Sequence, residues 1–196
     1  LGLGGSCTND GGAGAAAALG AVFHREDGTS FVPTGGTLQE IASLDCAPLA
    51  EALAGVELVA MCDIDNPLFG QEGAAWVFAP QKGADDAMVA RLDEGLRHLG
   101  EVSCRCLGKD LSQLPGAGAA GGLGFGMAAF CGAKLQMGID VVLDTLGFEE
   151  RLQQASLVFT GEGRIDSQSA RGKVVAGVAR RAKQAGVPVI ALVGEI

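Results

Sequence analysis

Acidic and basic side chains crowd into one short stretch of the chain, residues 160–175, which reads TGEGRIDSQSARGKVV. The charged residues are Glu162, Arg164, Asp166, Arg171 and Lys173. Carboxylates hold Mg²⁺ or accept a proton, and cations neutralise phosphate or carboxylate oxygens. The stretch therefore predicts a site where a divalent cation meets an anionic ligand, with a solvated, salt-bridged loop as the alternative.

A second group of candidate residues lies in the glycine-rich run GLGGSCTNDGGAG, residues 2–14. Gly4 and Gly5 offer unhindered backbone N–H groups, and the run leads into the N-terminus of a predicted helix, where an anion is favoured. Asn9 and Asp10 add polar side chains to this run. It predicts an anion-binding loop, and a helix cap is the alternative role for Asp10.

Three further charged residues lie beside predicted elements. Asp63 and Asp65 follow an apolar strand and lie on one side if the strand geometry persists, which suits Mg²⁺; a turn before Pro67 is the alternative explanation. Lys82 precedes a predicted helix, and the positive end of the helix dipole disfavours a cation there. We therefore expect Lys82 to point away from the helix, towards an anion.

Two glycine motifs do not meet the requirements of the sites they resemble. Gly116, Gly118 and Gly121 have the spacing of a dinucleotide fingerprint, but they follow LSQLP rather than a strand, which disfavours nicotinamide or flavin binding. Gly172-Lys173 lacks the earlier glycine and the following hydroxyl of a phosphate-binding loop. Gly118, Gly121 and Lys173 stay candidates for contact with a phosphorylated cofactor.

Hydrophobic patterning predicts an α/β fold. The predicted elements are a small-residue helix at 13–20, short strands and loops at 22–46, a strand at 56–62, a helix from Asp85 to about Leu99, a strand at 155–161, a helix at 172–186 and a strand at 187–194. The last three form a βαβ unit, which implies a parallel sheet with ligands at the carboxyl ends of its strands. Residues 116–133 predict either a buried small-residue helix or a ligand-touching loop that runs into one.

The helix from Asp85 has the clearest pattern. Its apolar residues recur every three or four positions: Met88, Val89, Leu92, Leu96 and Leu99. Two acids open its first turn, as the helix dipole favours.

Composition limits the classes of function. The formal net charge of −9 disfavours nucleic acid and anionic membranes as partners. Six scattered cysteines in an apolar chain predict reduced thiols, and Cys104 and Cys106 lack the second Cys or His pair that a zinc site needs. We expect a soluble, cytoplasmic protein. The missing initial Met and an apolar run just before the end indicate part of a longer polypeptide.

Four long motifs, in order, resemble the bacterial glycerate kinase family, which includes the glycerate 2-kinases of glycolate and galactarate breakdown. The motifs are GLGGSCTNDGGAG, CDIDNPLFGQEGAAWVFAPQKGA, LPGAGAAGGLGFG and VFTGEGRIDSQSARGKV. The resemblance covers essentially the whole chain. It implies ATP- and Mg²⁺-dependent phosphorylation of D-glycerate to 2-phosphoglycerate, with 3-phosphoglycerate as the competing product.

The resemblance also implies a domain organisation. Family members are about twice as long and have two α/β domains with the active site in the cleft between them. Residues 1–150 correspond to a nearly complete inserted domain, and 151–196 to a βαβ portion of a nucleotide-binding-like, Rossmann- or flavodoxin-like first domain. An opening PDSFKGS-like motif of the family is missing, so the sequence corresponds to a central fragment whose activity alone is in doubt.

The implied roles follow from the needs of phosphoryl transfer. Asp166 and Glu162 are assigned to Mg²⁺ or to the base, with Asp63 and Asp10 as second candidates. Lys82, Arg164 and Lys173 are assigned to phosphate or to the glycerate carboxylate. Backbone N–H groups of residues 4–12 and 116–122 are assigned to binding the phosphates or to admitting the substrate.

Two other functions stay open at this point. One is a non-catalytic module that binds a small acidic metabolite or nucleotide through the same loops, and the other is a nicotinamide oxidoreductase, which the misplaced fingerprint disfavours. The assembly state is also open, with a homodimer among the alternatives.

Overall fold

The computed structural model describes residues 1–164 and 174–195. Its contacts divide the chain into two compact units, Leu1–Leu135 and Gln136–Ile196. The predicted α/β class is confirmed by mixed helices and strands with parallel pairing. The predicted domain boundary at residue 150 stays a prediction.

Helices and strands alternate along both units. The helices are α1 (Ala13–Ala18), α2 (Ala47–Ala52), α3 (Ala74–Phe78), α4 (Asp86–Leu107), α5 (Ala119–Cys131), α6 (Gly138–Thr145), α7 (Phe148–Leu152) and α8 (Val174–Gln184). The strands are β1 (Val22–His24), β2 (Ser30–Phe31), β3 (Ser43–Asp45), β4 (Val59–Met61), β5 (Lys134–Gln136), β6 (Val158–Arg164) and β7 (Val189–Glu195). Within the described residues, no helix combines the length and apolar character needed to cross a membrane.

A small antiparallel sheet packs against the hydrophobic core of the first unit. Its order is β2-β1-β3, with Phe23 opposite Phe31 in one pair and Leu44 in the other. Phe23 is fully buried and meets Phe130 of α5 edge to face, with 5.9 Å between ring centroids. The short strands and loops predicted for residues 22–46 are thus confirmed.

The long helix α4 spans the first unit. The Asp85 side chain accepts from the Met88 backbone N–H at 2.8 Å and so caps the helix, whereas the sequence predicts Asp85 as an acid of the first turn. Leu96 and Leu99 are fully buried, whereas Met88 is exposed. The prediction that Met88 belongs to the apolar face is therefore wrong. The helix also continues to Leu107, beyond the predicted end at Leu99.

Helix α5 packs so closely on α1 that side chains are excluded at the contact. A Cβ atom on Gly126 would lie 2.6 Å from the Gly11 carbonyl oxygen, and one on Gly122 would lie 2.7 Å from the Gly11 Cα. The run 116–133 contains a buried small-residue helix, α5, but residues 120–122 have left-handed dihedrals, so both predictions, a buried helix and a loop that runs into one, describe part of the run. Its first turn also contributes to a cavity, described below.

The chain start pairs in parallel with β4. Gly2 bridges Met61, and the Leu3 N–H donates to the Met61 carbonyl at 2.9 Å. Strand β4 covers only part of the predicted run 56–62, and β5 pairs with it. Because parallel segments end at the same edge, the residues after Leu3 and those after Met61 emerge together.

The second unit contains the predicted βαβ arrangement. Strands β6 and β7 pair in parallel from Val158 and Val189 to Arg164 and Glu195, and α8 contacts both strands. Strand β6 continues to Arg164, so Glu162 and Arg164 lie within the strand; the prediction that they belong to a loop is wrong. The predicted start of α8 at residue 172 lies outside the described residues.

One face of the β6–β7 pair is apolar and exposed. Phe159, Ile190 and Leu192 are 64%, 45% and 65% exposed. Val158 and Val189 alternate with them and pack against a buried cluster that includes Ala182 of α8. Only one face of this parallel pair is therefore covered within the described residues.

Ion pairs connect the helices of the second unit. Arg181 of α8 donates to Asp144 at 2.5 Å and Glu149 at 2.7 Å, and it also pairs with Asp140 at 3.1 Å. Arg180 reaches Asp140 at 2.6 Å. The hydrogen bonds that Arg181 donates, first to Asp144 and then to Glu149, raise its pKa. The guanidinium of Arg181 thus links α6, α7 and α8.

Candidate functional site

A cavity of about 240 Å³ lies within the first unit. Four segments line it: the glycine-rich loop, the turn after β4, the end of α3 with the turn that follows it, and the first turn of α5. The lining residues are Leu3, Gly4, Gly5, Ser6, Asp63, Ile64, Phe78, Gln81, Lys82, Ala119, Ala120 and Gly121. The cavity thus brings together five of the predicted site residues: Gly4, Gly5, Asp63, Lys82 and Gly121.

The glycine-rich loop forms one wall of this cavity. Gly4 and Gly5 are exposed, and Gly5 has a left-handed backbone with φ of 63°. Within the part of the chain that the structure describes, their N–H groups donate to no backbone acceptor. These N–H groups can therefore donate to an anionic ligand.

Lys82 brings a positive charge to the same wall. It ends the short 3₁₀ turn Pro80–Lys82, and its Nζ donates to the Ser6 hydroxyl at 2.9 Å and to the Thr8 carbonyl at 2.7 Å. Burial lowers the pKa of Lys82, while Cys7 and Asp10 oppose this shift. The ammonium is thus held between α3 and the glycine-rich loop, where it can meet an anion.

The first turn of α5 is strained where it meets the cavity. Ala120 has φ of 54° and is followed by Gly121 at 71° and Gly122 at 89°. Among the described residues, Ala120 is the only non-glycine with positive φ. This conformation costs a residue with a Cβ roughly 1–2 kcal/mol, and such strain is common at functional sites.

Gly121 fits this wall because it has no side chain. A Cβ atom there would lie 2.0 Å from the Thr8 carbonyl oxygen, the same oxygen that accepts from Lys82. The Gly121 carbonyl accepts from the Gly11 N–H at 3.0 Å. The α5 turn and the glycine-rich loop are therefore interlocked at the position where Lys82 binds.

Asp63 is the carboxylate that lines the cavity. It lies in a bend after β4, and Asp65 is not part of the lining, so strand geometry does not carry both acids to one side as predicted. No group of three or more Cys, His, Asp or Glu residues able to hold a metal occurs within residues 1–164 and 174–195. One carboxylate still fits Mg²⁺, because that ion is held largely by substrate phosphates and water.

Asp10 and Asn9 lie beside the cavity wall but not in its lining. The Asp10 carboxylate accepts from the N–H groups of Gly12 at 3.0 Å and Gly14 at 3.1 Å, at the start of α1, which matches the predicted capping alternative. Asn9 is 8% exposed, and its amide nitrogen and oxygen have no hydrogen-bond partner among the described residues. A buried amide without partners is costly, so a water molecule or a ligand atom is expected there.

The other predicted site residues lie elsewhere. Gly118 packs on residues 66–67, where its N–H donates to the Asn66 carbonyl at 2.9 Å. In the second unit, Arg164 approaches Glu195 to 4.0 Å, and the Glu162 Oε2 is buried without a partner among the described residues. Asp166 and Lys173 lie outside the described residues. Their predicted roles, like the other site assignments, stay predictions.

Sequence reasoning did not single out Ser6, Phe78 or Ala120. Ser6 lies inside the quoted glycine-rich motif, so that motif was a usable signal for it. Phe78 reads as an ordinary apolar helix residue. Nothing about an alanine in an Ala- and Gly-rich run indicates a left-handed backbone, because alanine is the strongest helix former.

Comparisons with known proteins show the family of the chain. The model of the glycerate kinase family matches residues 1–196, and the chain belongs to this family. It is 49% identical over its whole length to glycerate kinase of Halalkalibacterium halodurans and 46% identical to glycerate 2-kinase of Escherichia coli. It covers 52% and 51% of those proteins.

A solved structure agrees with these relatives. The crystal structure of a protein provisionally named glycerate kinase 2, from Salmonella typhimurium LT2, matches with a TM-score of 0.86 and 47% identity. The match covers 98% of this chain and 52% of that one. The chain therefore spans about half the length of the relatives it matches.

Proposed function

We propose that the full-length gene product containing this chain transfers the γ-phosphoryl group of ATP to the 2-hydroxyl of D-glycerate. The products are 2-phosphoglycerate and ADP. Membership of the glycerate kinase family supports this class of reaction, and the name of the Escherichia coli relative supports the 2-hydroxyl as acceptor. The residues of this chain then have to bind anions, orient them and neutralise charge.

The observation that carries the proposal is the position of Lys82 across the glycine-rich loop. Its ammonium lies in the wall of a small cavity together with Asp63 and the N–H groups of Gly4 and Gly5. Phosphoryl transfer depends mainly on positioning and on electrostatic stabilisation of the transferred group. A fixed cation beside unhindered N–H donors suits that task.

Mg²⁺, when bound with the nucleotide, neutralises charge on the phosphate oxygens. We assign its protein ligand in this unit to Asp63. The acceptor hydroxyl loses its proton to a base as its oxygen forms the new bond to phosphorus, and the bond from that phosphorus to ADP breaks. We assign the base to Asp166, with Glu162 as the second candidate, and we assign substrate or phosphate contacts to Arg164 and Lys173.

A coupled kinase assay with D-glycerate and MgATP tests this proposal on the full-length gene product. We expect turnover, with 2-phosphoglycerate as the product. Enolase consumes 2-phosphoglycerate directly, whereas 3-phosphoglycerate requires a mutase first, so the coupling enzymes identify the product. Absence of turnover with glycerate contradicts the proposal. A product that is detected only when the mutase is present contradicts the assignment of the 2-hydroxyl as acceptor.

A binding role without turnover is favoured by one observation for the chain taken alone. Every residue that lines the cavity belongs to the unit Leu1–Leu135. Calorimetry on residues 1–196 with MgATP and with glycerate, run beside the kinase assay, separates the two functions. Heat of binding without product formation supports the binding role for this chain, and product formation supports catalysis.

A further inference from the structure

We propose that Ser6 is a positioning residue: its hydroxyl holds the Lys82 ammonium at the cavity wall and so orients it towards the anionic ligand. This inference rests on the proposed function, because that function supplies the phosphate or carboxylate ligand. It adds a residue to those that the sequence singled out.

The contacts of Lys82 define this role. Two N–H bonds of its ammonium are directed at the Ser6 hydroxyl, 2.9 Å away, and at the Thr8 carbonyl, 2.7 Å away. An ammonium has three donors, so one N–H is left for a ligand oxygen. Ser6 and Lys82 both line the cavity, so the hydroxyl and the ammonium meet where a ligand would bind.

Two acceptors are needed because the lysine side chain is flexible. Fixing it in one orientation costs rotamer entropy. The Thr8 carbonyl is itself fixed, because Gly121 packs directly against it and hydrogen-bonds to Gly11. Without the Ser6 hydroxyl, Nζ has one acceptor and can rotate about it.

The Ser6 hydroxyl also has a donor to offer. It accepts from the ammonium through a lone pair, so its own proton is available to a second acceptor. A ligand oxygen beside Nζ can therefore receive one hydrogen bond from Lys82 and another from Ser6. Both donors would recognise the same phosphate or carboxylate group.

The groups around Lys82 determine how its pKa, and therefore the activity at alkaline pH, should change when Ser6 is replaced. Burial lowers the pKa of Lys82, Cys7 and Asp10 oppose that shift, and Asp63 lines the same cavity. A hydrogen bond accepted by Ser6 favours the charged ammonium. Its removal should lower the pKa of Lys82 further, so activity should be lost at a lower pH on the alkaline side.

The first experiment compares wild type, Ser6→Ala and Ser6→Thr in the full-length gene product. A hydrogen bond to a charged group is worth about 1.5–3 kcal/mol, so Ser6→Ala should lower kcat/KM by roughly 10–100-fold. The alkaline limb of its pH profile should move to lower pH. Ser6→Thr keeps the hydroxyl and should restore both values.

Three results would overturn the role of Ser6. They are wild-type kinetics in Ser6→Ala, loss of activity with an unmoved alkaline limb, and a threonine variant no better than the alanine variant. A merely structural contribution of Ser6 would reduce activity without moving the limb.

A second measurement does not depend on turnover. The rate at which an amine reagent modifies Lys82, followed by peptide mass spectrometry across pH, reports its deprotonation. The profile should shift to lower pH in Ser6→Ala and return in Ser6→Thr; an unchanged profile contradicts the proposal. This assay remains decisive if wild type shows no kinase activity, in which case the proposed function fails separately.

Correct folding is checked through tryptophan emission; Trp76, the single tryptophan of residues 1–196, lies in α3 two residues before Phe78 of the cavity lining. If the emission of Ser6→Ala differs from wild type, Ser6→Cys replaces it, because cysteine keeps the size and forms a weaker hydrogen bond. The same direction of shift is expected for Ser6→Cys, and a profile identical to wild type would overturn the proposal.

Discussion

Lys82 donates a hydrogen bond to Ser6, although 76 residues separate them in the sequence. The bond joins the turn after α3 to the glycine-rich loop. It closes one wall of a cavity that also contains Asp63. The cationic centre of the candidate site is thus created by tertiary contact between two of the four motifs that carry the family resemblance.

Replacing Lys82 by methionine should remove the charge and keep most of the side-chain volume. Loss of a preorganised donor to a transferred group typically costs ~10²–10³ in rate, so we expect kcat/KM of the full-length gene product to fall by about that factor. Steady-state kinetics checks this value. Lys109→Met is the matched control, since Lys109 is exposed just after α4 and should change activity less than about twofold.

The role of Asp10 can be resolved by comparing Asp10→Asn with Asp10→Ala. Both carboxylate oxygens accept from N–H groups at the start of α1, those of Gly12 and Gly14, so alanine should destabilise the fold by about 1–2 kcal/mol and asparagine by less. Urea unfolding measures these values. Kinase activity of Asp10→Asn should stay within about threefold of wild type. A fall of ~10²-fold without loss of stability would instead assign Asp10 to metal or proton chemistry.

Gly121→Ala should strongly destabilise the first unit. The new Cβ would overlap the Thr8 carbonyl in a backbone with φ of 71°, so overpacking and left-handed strain add to roughly 2–5 kcal/mol. Gly132→Ala is the control, because Gly132 has φ of 66° but open space around it. It should cost only about 1–2 kcal/mol in the free energy of unfolding. Equal costs would show that the contact with Thr8 is unimportant.

Arg181→Met should loosen the second unit more than Arg180→Met. Arg181 is 13% exposed and pairs with three carboxylates, whereas Arg180 is 50% exposed and pairs with one. Because the carboxylate partners face solvent, we expect a loss of about 1–2 kcal/mol for Arg181→Met and less than about 1 kcal/mol for Arg180→Met. Chemical unfolding near pH 7 checks the difference.

The effect of Arg181→Met should also depend on pH. Burial raises the pKa of Asp140, but hydrogen bonds from Arg181 and Arg180 outweigh burial and leave the pKa below its ordinary value. A lowered folded-state pKa gives stability that is present above the unfolded-state pKa and lost as pH falls through the folded value. The stability gap between wild type and Arg181→Met should therefore narrow below about pH 4. A gap that does not change with pH would contradict this account.

The longer elements were predictable from sequence, whereas the short helices α2, α3, α6 and α7 and the strand β5 were not predicted. The two acids at its start and the spacing of Leu92, Leu96 and Leu99 identify α4, but Gly100 conceals its continuation. Gly100 is in fact buried in the helix, close to Phe69 and Ser112, where a small residue is suitable. Gly161 and Gly163 likewise conceal the end of β6. Glycine usually indicates a turn, but the backbone groups of a glycine can still pair with a parallel strand.

The motifs that contain the site residues were predictable from sequence, but the positions of these residues relative to one another were not. Sequence indicated Gly4, Gly5, Asp63 and Lys82, and tertiary contacts place them around one cavity. The acceptors of Lys82 could not be read from local pattern, since a hydroxyl and a carbonyl far along the chain supply them. The left-handed Ala120 was equally hidden, because its conformation is imposed by packing rather than by its own preference.

The apolar face formed by Phe159, Ile190 and Leu192 has a consequence for handling residues 1–196 as a separate sample. Apolar strands that are exposed to solvent promote association between molecules. Mutual repulsion from the net charge of −9 should keep such a preparation colloidally stable in dilute buffer. Added salt screens that repulsion, so turbidity should develop as ionic strength rises.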